Sequence, residues 1–147
     1  MFTLVYKSKA AQDLDATRIK SLFIDAQIRN KKQGITGCLL HHQDKFVQLL
    51  EGDKDVIKAL FMKIKEDTRH QEVIVLNTEK SPLRIFGEWH MIYSKIEDGN
   101  SKDEIKKRRL FDQIFHSSNA VFLPGNSKLT LWLQVNKLLN KDISRVA

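Results

Sequence analysis

Residues 35–52 read ITGCLLHHQDKFVQLLEG, and this stretch decides the fold. Ile35 to His42 and Lys45 to Glu51 are apolar-rich runs separated only by the polar pair Gln43-Asp44, which predicts a hairpin of two antiparallel strands. In the second run Phe46, Gln48 and Leu50 share one face, and Val47 and Leu49 the other. Gly52-Asp53 then opens a helix in which Val56, Ile57, Leu60, Phe61 and Ile64 form a buried stripe, with Asp53 placed to cap its free amides.

Working outward, residues 2 to 8 alternate as a strand, with Phe2, Leu4, Tyr6 and Ser8 on one face. From Asp15 to Asn30 the set Ile19, Leu22, Phe23 and Ala26 follows helical spacing, Asn30 falls on the same face, and Gly34 ends the helix. Downstream, Glu72 to Thr78 reads as a fourth strand and, after the Ser81-Pro82 break, Phe86 to Ser94 as a fifth. The order βαββαββ predicts an α+β, ferredoxin-like sheet, because the two split βαβ crossovers place both helices on one face.

The linker from Glu97 to Ser101 separates this core, residues 1–96, from an extension over 97–147, which Asn119 to Asn126 divides into two helices. Leu110, Phe111, Ile114 and Phe115 form one stripe, and Leu131, Val135, Leu138 and Leu139 another. Val5, Val47, Leu49 and Ile92 point away from the first two helices and would leave an exposed apolar patch unless the extension covers them. The extension could equally cover a second subunit's sheet, which predicts a homodimer or higher homo-oligomer.

The chain has 147 residues, 41% of them hydrophobic, enough for one domain with a true core. Its single cysteine, Cys38, excludes an intramolecular disulfide and suits a reducing compartment. No long apolar segment or secretory leader is visible, so a soluble cytoplasmic protein is expected. The net charge of +7 raises nucleic-acid binding. The clusters Arg29-Asn30-Lys31-Lys32 and Lys106-Lys107-Arg108-Arg109 nevertheless lack the interleaved aromatics of a single-strand groove, and a solvated face is the simpler reading. His41, His42 and His90 do not make a metal site, because neighbours on a strand point to opposite faces.

Three polar residues sit on faces that should be apolar: Tyr6 beside Leu4, Gln48 beside Phe46 and Leu50, and Asn30 beside Ala26. Leaving such groups unpaired costs roughly 1–3 kcal/mol each. Each alone is explained by an ordinary core hydrogen bond; all three together fit a flat polar heterocycle bound between sheet and helices.

Five segments carry a family resemblance: Leu4-Val5-Tyr6-Lys7-Ser8; Asn30 with Gly34-Ile35-Thr36-Gly37; Phe46-Val47-Gln48-Leu49-Leu50-Glu51-Gly52; Asp67-Thr68-Arg69-His70; and Phe86-Gly87-Glu88-Trp89-His90-Met91. In this order the chain resembles the BLUF domain from about Phe2 to Ser94, and its tail resembles the two-helix extension of short members in layout. The resemblance implies non-covalent FAD, blue-light sensing and no substrate turnover. It implies that Tyr6 donates an electron and proton, that Gln48 relays between Tyr6 and the ring by rotating or tautomerising, and that Asn30 bonds the ring's polar edge. Asp67 and Arg69, with Lys63 one turn earlier, are implied partners of the ring. Trp89 and Met91, two apart and so on one strand face, are the implied transmitters.

Two departures stand out. Arg29 replaces a frequently uncharged residue, where it either reaches the pyrophosphate or stays solvated. His41-His42 occupies a position that is often aromatic. With no room for a catalytic domain after residue 100, the expected output is a contact with a downstream signalling protein, for which Ile24 and Ile28, opposite the main stripe of the first helix, are candidates. The alternative is a ferredoxin-like nucleic-acid or protein binding module without flavin. A yellow protein favours the first reading; a colourless one that binds oligonucleotides with steep salt dependence favours the second.

Overall fold

A computed structural model describes residues 1–80, 82–87, 89–116 and 132–139. Its elements are β1 (Phe2–Ala10), α1 (Ala16–Gln33), β2 (Thr36–His42), β3 (Lys45–Gly52), α2 (Lys54–Glu66), β4 (His70–Lys80), β5 (Ile92–Lys95), α3 (Lys102–Phe115) and a last helix, α4, over 132–139. The five strands form one sheet in the order β4-β1-β3-β2-β5. β1 is antiparallel to both β3 and β4, β2 is antiparallel to β3, and β5 is parallel to β2. This is the expected ferredoxin-like arrangement with a parallel fifth strand on its β2 edge.

Local chemistry sets the element ends. Asp15 caps α1 by accepting from Arg18 N, and Gly34 closes it in the left-handed conformation at φ 67°, its N–H returning to Asn30 O. Asp53 caps α2 by accepting from the amides of Asp55 and Val56. Ser101 and Glu104 make a reciprocal capping box at the start of α3. Ser101, the last residue of the expected linker, is therefore the first residue of the helix's cap.

The sheet divides two cores. On one face Leu4, Tyr6, Leu39, Phe46 and Leu50 pack against Ala26 of α1 and Ile57, Leu60, Phe61 and Ile64 of α2. On the other, Val5, Cys38, Val47, Leu49 and Ile92 pack against Leu110, Phe111, Ile114 and Phe115 of α3 and Trp132, Val135, Leu138 and Leu139 of α4. The extension therefore covers its own sheet, and the surplus apolar stripes that suggested a second subunit are used within the chain. Leu131 and the division at 119–126 lie outside the described residues.

The expected fifth strand, Phe86 to Ser94, is corrected: the ladder begins only at Ile92 and ends at Lys95. The residues before it are held by other bonds. The fully buried Glu51 carboxylate accepts from the amides of Ile85 and Phe86 at 2.8 and 2.6 Å and from Thr36 Oγ1 at 3.0 Å. Three successive carbonyls then find partners off the strand: Trp89 O accepts from Gly37 N at 3.1 Å, His90 O from Asn30 Nδ2 at 2.8 Å, and Met91 O from Gln27 Nε2 at 3.2 Å. Residues 89–91 form a strap tied mainly to α1.

This irregular path also corrects the shared face of Trp89 and Met91. Alternation holds only in a regular strand, and here the strap sends Met91 into the helix-side core while Trp89 packs against the tail-side core.

The C-terminal end of α3 carries no basic residue of its own in the last turn. Lys7 of β1 supplies the charge: its Nζ donates to Phe115 O at 2.8 Å and sits 4.8 Å from the Phe115 ring centroid. Lys7→Met keeps the apolar stem and removes the charge, so we expect a loss of about 0.5–1 kcal/mol in urea unfolding. A change below about 0.2 kcal/mol would show that the clamp adds nothing beyond packing.

Candidate cofactor site

A cleft opens between α1, α2 and the sheet, lined by Tyr6, Leu22, Ala26, Arg29, Leu39, Phe46, Gln48, Ile64, Asp67, Arg69 and His70. Pockets for small organic ligands combine apolar walls with a few fixed polar groups, as here.

Its floor is set by strand register. Tyr6 of β1 lies directly opposite Gln48 of β3, and the Tyr6 hydroxyl donates to Gln48 Oε1. Gln48 Nε2 donates in turn to Met91 Sδ at 3.4 Å, which completes a chain Tyr6–Gln48–Met91. Both side chains are buried. Burial pushes the Tyr6 phenol far above its ordinary value, opposed by the Arg29 charge and reinforced by Asp67. Tyr6 therefore holds its proton through the physiological range and presents a neutral O–H donor. A thioether is a weak acceptor, so the donor end of Gln48 is held loosely while its acceptor end is held firmly.

One wall comes from α1. Leu22, Ala26 and Arg29 line it; Asn30, next to Arg29, is fully buried and not among the lining residues, its Nδ2 committed to His90 O while its Oδ1 has no hydrogen-bond partner. Arg29 has a buried Nε likewise without a partner. An orphaned acceptor and an orphaned donor beside a polar-lined cleft are what a ring with both amide N–H and carbonyl groups would satisfy. These residues fit a flavin.

The other wall is the end of α2. Arg69 bonds the Asp67 carboxylate through Nε at 3.0 and 3.1 Å and Nη2 at 2.6 Å, and its Nη1 lies 3.5 Å from Asp25 Oδ2 on α1. The pair ties the two helices across the cleft. His70 Nδ1 and Nε2 meet Ser8 Oγ at 3.0 Å and Ile64 O at 2.6 Å, fixing the loop while its ring also lines the cleft.

Lys63 is corrected. It is exposed and does not line the cleft. α2 ends at Glu66 and Asp67 has an extended backbone, φ −73° and ψ 120°, so helical spacing from Lys63 does not carry to Asp67, and the partner of Asp67 is Arg69. His41 and His42 face opposite sides, His41 stacking on Phe46 and His42 meeting the Phe111 ring edge. No candidate metal cluster occurs among the described residues. Glu51 and Gln27, which anchor the segment leading to Met91, went unnoticed because their partners are distant in sequence.

Hydrogen bonds from Arg69 hold the Asp67 carboxyl below its ordinary value of 3.8. A depressed carboxylate contributes stability that is present above its unfolded pKa and lost as pH falls through the folded one. We expect the clamp to hold at neutral pH and to weaken only below about pH 4. In acid titrations followed by unfolding, Asp67→Asn should be less stable than wild type at pH 7 and approach it as pH falls below the ordinary carboxylate range. A constant offset across that range would mean that the ion pair contributes nothing.

The sequence profile of BLUF, sensors of blue-light using FAD, matches residues 1–92. The chain is 39% identical over 113 residues to photoactivated adenylate cyclase subunit alpha of Euglena gracilis, covering 76% of this chain and 11% of that protein. It is 31% identical over 133 residues to the blue light- and temperature-regulated antirepressor BluF of Escherichia coli, covering 88% of this chain and 29% of that protein. The chain thus spans between about a tenth and a third of the length of these relatives. Among solved structures, the photo-activated state of BlsA superposes with a TM-score of 0.69 at 27% identity, over 94% of both chains.

The chain belongs to the BLUF family. It is a blue-light sensor that uses FAD, and the reading as a nucleic-acid-binding module is not favoured. Among the described residues, no helix is long and apolar enough to cross a membrane.

Proposed function

We propose that this chain converts blue light into a change of protein contact through the line Tyr6–Gln48–Met91. The supporting observation is that the Tyr6 hydroxyl, the Gln48 amide and the Met91 thioether form one continuous hydrogen-bonded chain on the cleft floor. Tyr6, Gln48, Asn30, Asp67 and Arg69 hold the cofactor. When bound, FAD supplies the blue-light chromophore and an excited-state electron acceptor.

Tyr6 gives up an electron and a proton from Oη, and Gln48 Oε1 stands in place to receive the proton. The Gln48 amide has a donor end and an acceptor end, so rotation or tautomerisation reverses its pattern without breaking a covalent link to the protein. Either change releases the weak bond from Nε2 to Met91 Sδ. Met91 begins the turn into β5, and its carbonyl is held by Gln27 of α1, so a shift of Met91 reaches both β5 and the helix. Trp89, on the opposite side of the sheet, carries that shift into the α3–α4 core.

The output is a contact, made in the cytoplasm with a downstream protein or a second copy, rather than turnover of a substrate in this domain. The outer face of α1 offers that contact, since Ile24 and Ile28 are 41% and 54% exposed. The absorption spectrum of the purified protein before and after blue light tests the switch: a reversible red shift supports it, and bound flavin with no shift removes it. Light scattering in dark and light tests self-contact, which a monomer in both states would rule out.

A further inference from the structure

Glu51 is a fully buried acid on β3, outside the cleft and three residues beyond Gln48. Alternation along the strand points it to the opposite face from Gln48. Its Oε1 accepts from Phe86 N at 2.6 Å and Thr36 Oγ1 at 3.0 Å, and its Oε2 from Ile85 N at 2.8 Å. Thr36 is its cross-strand partner on β2. Arg84 Nη1 closes the cluster, donating to Thr36 Oγ1 at 2.9 Å and to Glu51 O at 3.3 Å. Such a cluster is a rigid fixture, because loss of any one bond leaves a buried polar group unpaired.

The two residues held by this carboxylate lead in two directions. Toward the cleft, Phe86 O accepts from Trp89 N at 2.9 Å and closes a turn into the strap. The chain then passes from the tail-side core at Phe86 to the helix-side core at Met91, whose Sδ accepts from Gln48 Nε2. Toward the extension, Ile85 O accepts from Asn136 Nδ2 of α4, and the Phe86 ring meets Trp132 edge-on with centroids 6.3 Å apart. One side chain therefore fixes the segment that joins the partner of Gln48 to the last helix.

We propose that Glu51 is a positioning residue of the light switch: by fixing Ile85 and Phe86 it sets where Met91 stands against Gln48, and it links that position to α4. The inference rests on the reading that Tyr6, Gln48 and Met91 form the switch. Glu51 holds the place to which Met91 returns after light, so loosening it slows the return.

The test uses the flavin-bound full chain and two readouts: the rate at which the red shift decays in the dark, and methyl NMR of labelled methionine in the dark. The chain has three methionines. Met1 and Met62 are 43% and 58% exposed and serve as internal controls, whereas Met91 is buried. Glu51→Gln keeps the shape but has one carbonyl oxygen, and its NH2 group faces an N–H or O–H donor. We expect it to move the Met91 methyl signal, leave those of Met1 and Met62 in place, and slow dark recovery about 10-fold, the size expected for a lost charge-assisted hydrogen bond. Thr36→Val removes one bond to the same carboxylate and should act in the same direction about 3-fold, and Thr36→Ser should restore wild-type behaviour. With a normal wild-type red shift, an unmoved Met91 signal or a recovery rate within about 2-fold of wild type in Glu51→Gln would overturn the positioning role and leave the switch intact. If Glu51→Gln does not fold, the Thr36 pair decides, and wild-type behaviour of Thr36→Val overturns the role. Bound flavin without a red shift in wild type would overturn the switch and this role with it.

Discussion

Gln48→Leu is expected to retain flavin and to lose the blue-light red shift completely. Leucine has a similar bulk and keeps the packing with Phe46 and Leu50, but it offers Tyr6 no acceptor and Met91 no donor. The buried Tyr6 hydroxyl then lacks its partner, at a stability cost of roughly 1–3 kcal/mol. On the proposed site, Asn30, Asp67 and Arg69 remain to hold the flavin, so colour should survive while the switch does not. Tyr6→Phe should reach the same outcome from the other end, by removing the proton at Oη while keeping the ring that packs 5.6 Å from Phe61. Light-minus-dark spectra of both variants decide this. A shift of wild-type size in either would remove that residue from the switch.

Gly37→Ala should be the most damaging small substitution in the sheet. A Cβ there would lie 1.9 Å from Leu49 O and 3.0 Å from Leu49 C, both backbone atoms that have no side-chain freedom with which to retreat. Relief requires β2 to move away from β3 at the pairs Gly37–Leu50 and Cys38–Leu49. The same glycine donates its N–H to Trp89 O, so the strap moves with it. We expect about 3 kcal/mol of destabilisation in urea unfolding, the upper end for overpacking. We also expect a disturbed photocycle in the folded fraction. A loss under roughly 1 kcal/mol would mean that the two strands separate more freely than a close-packed sheet allows.

The hairpin, both helices of the core and their caps were legible in sequence because each is determined within a few residues. Gln43-Asp44 makes the turn, Asp15 and Gly34 bracket α1, and Asp53 starts α2. Alternation shows that Tyr6 and Gln48 each lie on a core-facing side of a strand, whereas their pairing is given only by the family resemblance and by the register of β1 with β3. The segment before β5 was not legible: the residues that hold it, Glu51, Asn30 and Gln27, stand 34 or more positions away from their partners and leave no local pattern. Trp89 and Met91 depart from their expected common face for the same reason, since a period of two holds only in a strand and this stretch is not one. Lys63 and Asp67 do not share a helix face because the helix stops at Glu66, one residue short of Asp67.

Tyr6 and Lys7 are neighbours in the chain but work in separate compartments, one bonded to Gln48 and the other to the carbonyl of Phe115. β1 keeps unbroken pairing with β3 from Phe2 to Lys9, whereas its pairing with β4 slips at two places. Length variation is therefore asymmetric. An inserted or deleted residue in β4 can be absorbed as one more bulge at an edge, but one in the first half of β1 would exchange the two compartments' side chains, sending a lysine into the chromophore cleft and the phenol toward α3. Among descendants of this sequence, β1 should accumulate substitutions but almost never change in length, because Tyr6 keeps its side of the sheet only while Lys7 keeps the other.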